Sequence, residues 1–161
     1  MEPIIEDLGE IKIIGAQLKT NTKSGDNFKQ IPQFWKQFIE ENTNNRIPNK
    51  MNSEVCYGIC DDFDSESGDF AYIIAYEVTS QDNVPRGLIA KTLPPAQYAV
   101  FTAKGKLPDS VQNMVRYVYG EWMAKSKYQR TDGPEFELYD NRCTTNDACE
   151  VDLYVPVKQR S

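Results

Sequence analysis

The sequence predicts an α+β fold. Two pseudo-twofold β-α-β-β repeats would share a mainly antiparallel, twisted sheet, with the helices on one side and a ligand groove between the halves. Three observations lead there. One pattern is written twice along the chain at a nearly constant separation. Each copy holds one amphipathic helical segment. Short β-prone runs, bounded by turn residues, flank each helix, and helices alternating with paired strands belong to the α+β class.

The duplication is visible residue by residue. Ile31-Pro32-x-x-Trp35-x-x-Phe38-Ile39 returns as Leu107-Pro108-x-x-Val111-x-x-Met114-Val115, 76 positions later. Residues 57–61 and 72–78 return as 136–140 and 151–157, 79 positions later. One three-residue length change reconciles the two separations. Such self-similarity marks duplicated structural units. The 161 residues are therefore read as a single domain, with repeat one at about 1–80, repeat two at about 81–161, and no DNA-binding domain.

In the first copy, 11–19 is apolar and β-prone. A helix is expected from Pro32, where a missing N–H costs nothing in the first turn. Trp35, Phe38, Ile39 and Phe34 would form its apolar face, and it would end within 42–45. Strands follow at 55–60 and 70–79, joined by the acidic run 61–66, which reads as a solvated loop. In the second copy, 87–93 and 98–102 read as strands about the Pro94-Pro95 turn. The helix at 109–124 is the clearest element: Val111, Met114, Val115, Val118 and Trp122 make one continuous stripe. Asp109 and Ser110 are its expected caps. Strands at 136–139 and 149–157 close the copy.

Composition narrows the chemistry. Twenty-four acids against 18 bases give a net charge of −6, which disfavours nucleic acid as a direct partner. With no histidine, imidazole-based catalysis and His-ligated metal sites are excluded. No cofactor or metal is expected. The N-terminus is acidic and no apolar run approaches the roughly 18 residues of a membrane helix, so a cytoplasmic protein that does not engage membranes is expected. Cys56, Cys60, Cys143 and Cys149 fit no zinc spacing and read as reduced thiols, with a Cys143–Cys149 clip across one hairpin as the alternative.

Glu137 is the leading candidate for function. It lies between Phe136 and Leu138, and alternation sends it, with Glu135, to the opposite face of that strand. The repeat puts Gly58 at the equivalent position, so a carboxylate would face empty volume. A buried, uncompensated carboxylate needs a cation, and a ligand cation held between aromatic faces would supply one. Trp122 reads either as core or as a stacking wall. Tyr98, Tyr119, Tyr128, Tyr139 and Tyr154 read as pocket lining or core.

These segments resemble the GyrI-like small-molecule-binding domain, the effector-binding domain of AraC-type and MerR-type multidrug-responsive regulators. The marks are Ile31-Pro32-x-x-Trp35, Tyr57-Gly58, the run from Pro95 to Phe101, Glu121-Trp122 with Ser126-Lys127-Tyr128, Phe136-Glu137-Leu138-Tyr139-Asp140, and the run from Cys149 to Lys158. The resemblance implies a SOUL-like fold, a bacterial stand-alone member without a DNA-binding domain, and a groove taking hydrophobic, often cationic compounds on a buried glutamate. Glu137 matches that glutamate, and Trp122 and Tyr98 match aromatic positions. The expected ligand-binding set is Glu137, Trp122, Tyr98, Tyr139, Tyr119, Gly58 and Tyr154. Sensing or sequestration of a hydrophobic or cationic small molecule is the leading reading. The alternatives are a hydrolase of cyclopropane-containing electrophiles, using Glu137 as general acid or base, and a module that binds a protein partner such as DNA gyrase.

Overall fold

In chain order the strands are β1 (Ile4–Leu8), β2 (Ile11–Asn21), β3 (Cys56–Asp61), β4 (Asp69–Glu77), β5 (Ile89–Leu93), β6 (Ala96–Gly105), β7 (Tyr128–Arg130), β8 (Glu135–Tyr139) and β9 (Cys149–Gln159). The helices are α1 (Asp26–Glu40), α2 (Asp109–Tyr117) and α3 (Met123–Lys125), the last two joined by a π-helical turn at Val118–Trp122. These elements come from a computed structural model, which describes residues 2–161; Met1 lies outside the described residues. The fold is α+β, and every strand pair detailed below is antiparallel. The chain divides into two compact units: residues 10–94, and residues 1–9 together with 95–161.

In the unit of residues 10–94 the strand order is β3-β4-β2-β5. Strand β2 pairs with β4 from Ile13 opposite Glu77 to Asn21 opposite Asp69. Alternation sends Phe70, Tyr72, Ile74 and Tyr76 of β4 toward α1, where they pack with Ile14, Phe38, Ile47 and Val78. Gly15 is required where β2 crosses β4: a Cβ there would lie 2.2 Å from the Ile74 carbonyl oxygen. Helix α1 begins at Asp26, earlier than the predicted Pro32. Ser24 accepts the Asp26 N–H, and Asn21 accepts the Ser24 N–H, so the chain is turned into the helix upstream. Pro32 therefore sits inside the helix and forfeits one backbone hydrogen bond. Ile39, expected on the apolar face, is 65% exposed, because it follows Phe38 directly and points away from the sheet. The acidic 61–66 loop is only partly a solvated run: Lys91 pairs with both Asp61 and Asp62, and Asp64 accepts the Glu66 and Ser67 N–H groups.

In the other unit the order is β1-β6-β9-β8, with β7 also on β9. The elements β2-α1-β3-β4 of one unit and β6-α2-β8-β9 of the other thus have the same topology, which is the duplication read from the sequence. The repeat boundaries and the unit boundaries differ, however. Strand β1 pairs with β6, and β5 pairs with β2, so each repeat gives its first strand to the unit of the other. Ala99, Phe101, Ala103, Val151, Leu153, Val155 and Val157 pack under Val111, Met114, Val118 and Trp122, the predicted stripe. The predicted continuous helix is interrupted by the π turn, and no side chain caps α2: Pro108 holds the capping position.

Cys143 and Cys149 form a disulfide across a tight turn, with Cα atoms 3.8 Å apart. The expectation of four reduced thiols is corrected on this point. The Thr144 and Ala148 backbone hydrogen bonds fold residues 144–148 so tightly that the flanking cysteines meet. Cys56 and Cys60 remain thiols, and burial pushes that of Cys56 up to about 12. Among the described residues no helix is long and apolar enough to cross a membrane, and no group of acids and cysteines is spaced to hold a metal ion.

Candidate functional site

Strand register decides which face each candidate occupies. Glu137 lies opposite Leu153, and Leu153 packs beneath α2, so Glu137 shares the helix-covered face of its unit. Strand β8 thus turns its acids toward α2. Glu135, Glu137 and Tyr139 alternate along that face.

A tyrosine hydroxyl meets each of the two carboxylates. Tyr139 donates to Glu137 Oε1 at 2.7 Å. Tyr119, carried on the π turn, donates to Glu135 Oε1. Arg130 on β7 donates through Nε to the Tyr119 oxygen at 2.9 Å and stands 3.8 Å from Glu135 Oε1. Its other nitrogens reach the Thr131 and Gly133 carbonyls, which ties β7 to the turn before β8. Burial raises the Glu135 carboxyl above the usual carboxylate range, outweighing the Tyr119 hydrogen bond and the Arg130 charge. Burial and the Glu135 charge likewise raise the Tyr119 phenol. The insertion of a residue that widens a helix into a π turn is often found at functional positions; here it carries both Tyr119 and Trp122.

The structure brings together Glu137, Tyr139 and, through the neighbouring acid, Tyr119. It does not bring the remaining aromatic candidates to them. Trp122 is 8% exposed and packs edge-on to Phe101 at 5.1 Å and parallel to Tyr128 at 6.2 Å. Strand β9 lies between Phe101's strand and Glu137's, so roughly 10 Å, two strand spacings, separates them. Tyr98 and Tyr154 occupy the opposite face, where they cluster with Phe136; the Phe136 and Tyr154 rings stack at 4.5 Å. The cause is parity: Phe136 lies opposite Tyr154, one step out of phase with Glu137. On that face Asp152 accepts from Thr102 at 2.7 Å and from Arg142, which also holds Asp140. Burial and the nearby Glu6 and Asp152 carboxylates push the Tyr154 phenol up to about 12. Gly58 is buried on β3 of the other unit, opposite Ile74 of β4.

Two participants were not singled out from the sequence. Alternation had placed Glu135 on the same face as Glu137, but no role was assigned to it. Arg130 had no signal, because its role depends on β7, a three-residue strand. In the unit of residues 10–94, the Trp35 indole donates to the Tyr72 hydroxyl at 2.8 Å, an aromatic pair that the helix stripe half anticipated.

Several known proteins are similar to this chain. The transcriptional regulator BrlR of Pseudomonas aeruginosa is 33% identical over 129 residues, 79% of this chain. The chain spans about half of BrlR, 46% of its length. The structure of SAV2435 bound to tetraphenylphosphonium has the same fold, with a TM-score of 0.81, 22% identity, and coverage of 98% of this chain and 94% of that one. Integron cassette protein VCH_CASS2 of Vibrio cholerae superimposes with a TM-score of 0.71 at 17% identity, covering 98% and 96%. Residues 4–157 match the Cass2 family of integron-associated effector-binding proteins, and the chain belongs to that family.

Proposed function

We propose that this protein binds hydrophobic, aromatic organic cations, as a sensor or a sink, with the Glu137 carboxylate as their counter-charge. One observation carries the reading: Glu137 sits on the helix-covered face of β8, where the Tyr139 hydroxyl orients its carboxylate at 2.7 Å. A cation would be attracted to that carboxylate, and aromatic faces within reach would add about 0.5–2 kcal/mol each through cation–π attraction. SAV2435, a protein of the same fold, was solved with tetraphenylphosphonium, a lipophilic cation of this class. Membership of a family of integron-associated effector-binding proteins supports an effector-binding role.

Titration with tetraphenylphosphonium, followed by tryptophan fluorescence, tests this. Saturable binding is expected, at least tenfold weaker in Glu137→Gln and more modestly weakened in Tyr139→Phe. Unchanged affinity in Glu137→Gln would overturn the proposal.

A further inference from the structure

The Cys143–Cys149 disulfide sits where the chain turns into α2. It closes residues 144–148, all of them exposed, into a small ring. Both anchors of the approach to α2 lie on that ring. Gly105, the last residue of β6, is opposite Cys149 in the ladder. Leu107 donates its N–H to the Asn146 carbonyl at 2.7 Å. The first turn of α2 follows at once: the Ser110 N–H donates to the Lys106 carbonyl at 2.9 Å, and the Gln112 N–H to the Pro108 carbonyl at 3.1 Å. Among the described residues no side chain caps this end of the helix. A helix start without a cap depends on whatever fixes the chain before it.

The covalent bond is what fixes it. Inside the ring, Thr144 donates to the Ala148 carbonyl and Ala148 to the Thr145 carbonyl, each at 3.2 Å. Those bonds lie in water, where a hydrogen bond contributes little net stability. With the disulfide open, five exposed residues regain conformational freedom and the Asn146 carbonyl is no longer held. The loosening stays local. Arg142 remains on Asp140 and Asp152, at 2.9 and 2.7 Å, and Cys149 remains within β9. The two sulfurs also differ in access. Cys149 is 2% exposed in the core beneath α2, whereas Cys143 packs only half-buried at the margin of that core.

We propose that Cys143 and Cys149 form a reversible redox switch that sets how firmly the start of α2 is held. A dithiol reductant opens it by two exchanges. One reductant thiolate attacks the Cys143 sulfur, the Cys143–Cys149 bond breaks, and Cys149 leaves as a thiolate that takes up a proton. The second reductant thiolate then attacks the reductant sulfur of the mixed disulfide, and Cys143 leaves and is protonated in turn. The reductant ends as a disulfide and the protein has gained two electrons and two protons; a disulfide oxidant reverses both steps. Helix α2 covers the face that bears Glu137. On the reading of Glu137 as the counter-charge of an organic cation, opening the switch weakens that site.

Equilibration of the full chain in dithiothreitol buffers of graded reduced-to-oxidised ratio tests this, with thiols counted by alkylation and intact mass, and amide exchange followed by NMR. Reversible gain and loss of one thiol pair is expected. The Leu107, Ser110 and Gln112 amides should exchange at least tenfold faster in the reduced chain, while those of Ile73 and Ile74 on β4 keep their rates. A Cys143→Ser/Cys149→Ala variant should match the reduced chain and ignore the buffer; the native chain carries the comparison without it. Affinity for tetraphenylphosphonium should fall at least threefold on reduction. Unchanged exchange at the three amides overturns the proposal. So does faster exchange throughout β9 and β4, which would make the bond a staple of the whole fold, or a bond that no dithiol buffer opens in the folded chain. Equal affinity in the two states overturns the link to the Glu137 face. Absence of tetraphenylphosphonium binding in both states refutes the Glu137 reading instead, and the exchange rates still decide the switch.

Discussion

Replacing Arg130 with methionine probes the cluster that holds β8 against the π turn. The change keeps much of the aliphatic stem and removes the charge. Glu135 then keeps the Tyr119 hydroxyl but loses the cation 3.8 Å away, while its side chain remains only 14% exposed. Removing one partner of a fully buried pair costs about 3–5 kcal/mol. Arg130 is itself 31% exposed, so water and salt weaken the pair, and about 2–3 kcal/mol is expected. For a chain of this length that lowers the melting temperature by about 4–12 °C. The loss depends on pH. The folded-state pKa of Glu135 is raised above its unfolded value, so protonation favours the fold. Stability from this group is fullest below the unfolded value, about 4.3, and falls as pH rises through the raised folded value. Without Arg130 that folded value rises further, so the deficit of Arg130→Met should be larger at pH 8 than at pH 5. Urea unfolding of Arg130→Met, Glu135→Gln and the double variant at both pH values measures the coupling. Effects that add within 0.5 kcal/mol, or a deficit equal at the two pH values, would refute the assignment of this cluster.

Trp122→Ala should cost about 3–5 kcal/mol, because the indole fills the space between Phe101 and Tyr128. Trp122→Phe should retain tetraphenylphosphonium binding in an equilibrium dialysis measurement, since the indole is packed away from Glu137. Gly15→Ala forces a Cβ to 2.2 Å from the Ile74 oxygen, and thermal unfolding should show a loss of about 1–3 kcal/mol or more. Arg142→Gln should cost about 1 kcal/mol at pH 7, a figure reduced because its side chain is 34% exposed. Arg142 holds the Asp140 carboxyl below its usual range, so this contribution is present above about pH 4 and disappears as acid protonates Asp140. A denaturant titration at pH 3 should therefore find native and variant closer than at pH 7.

The duplication was readable because it rests on order and spacing, which survive the loss of identity. The α2 stripe was readable for a similar reason: Val111, Met114, Val118 and Trp122, spaced by three and then four residues, all face the core. The start of α1 was not, since it depends on the turn in which Asn21 and Ser24 accept the Ser24 and Asp26 N–H groups. Strands β1 and β7 are short, and their pairing with distant β6 and β9 leaves no local trace. Alternation correctly separated Glu137 from Phe136. Which of the two faces lies under the helix is decided by the register with β9, through the Glu137–Leu153 pairing, and no property of 135–139 alone contains it. The aromatic candidates divided for the same reason: Tyr98 and Tyr154 differ from Tyr139 in parity, not in composition.

The exchange of first strands has a consequence for how the chain is made. Residues 10–94 are continuous, so every strand of that unit exists once Pro94 has left the ribosome. The other unit begins first and finishes last. Ile4 must wait for Val100, 96 positions later, and β6 in turn waits for β9. During synthesis β1 is thus an orphan strand, held over while a complete neighbour folds behind it. Stalling translation just beyond residue 94, with enough added linker to clear the exit tunnel, should yield one protease-resistant unit with the first nine residues still open to cleavage.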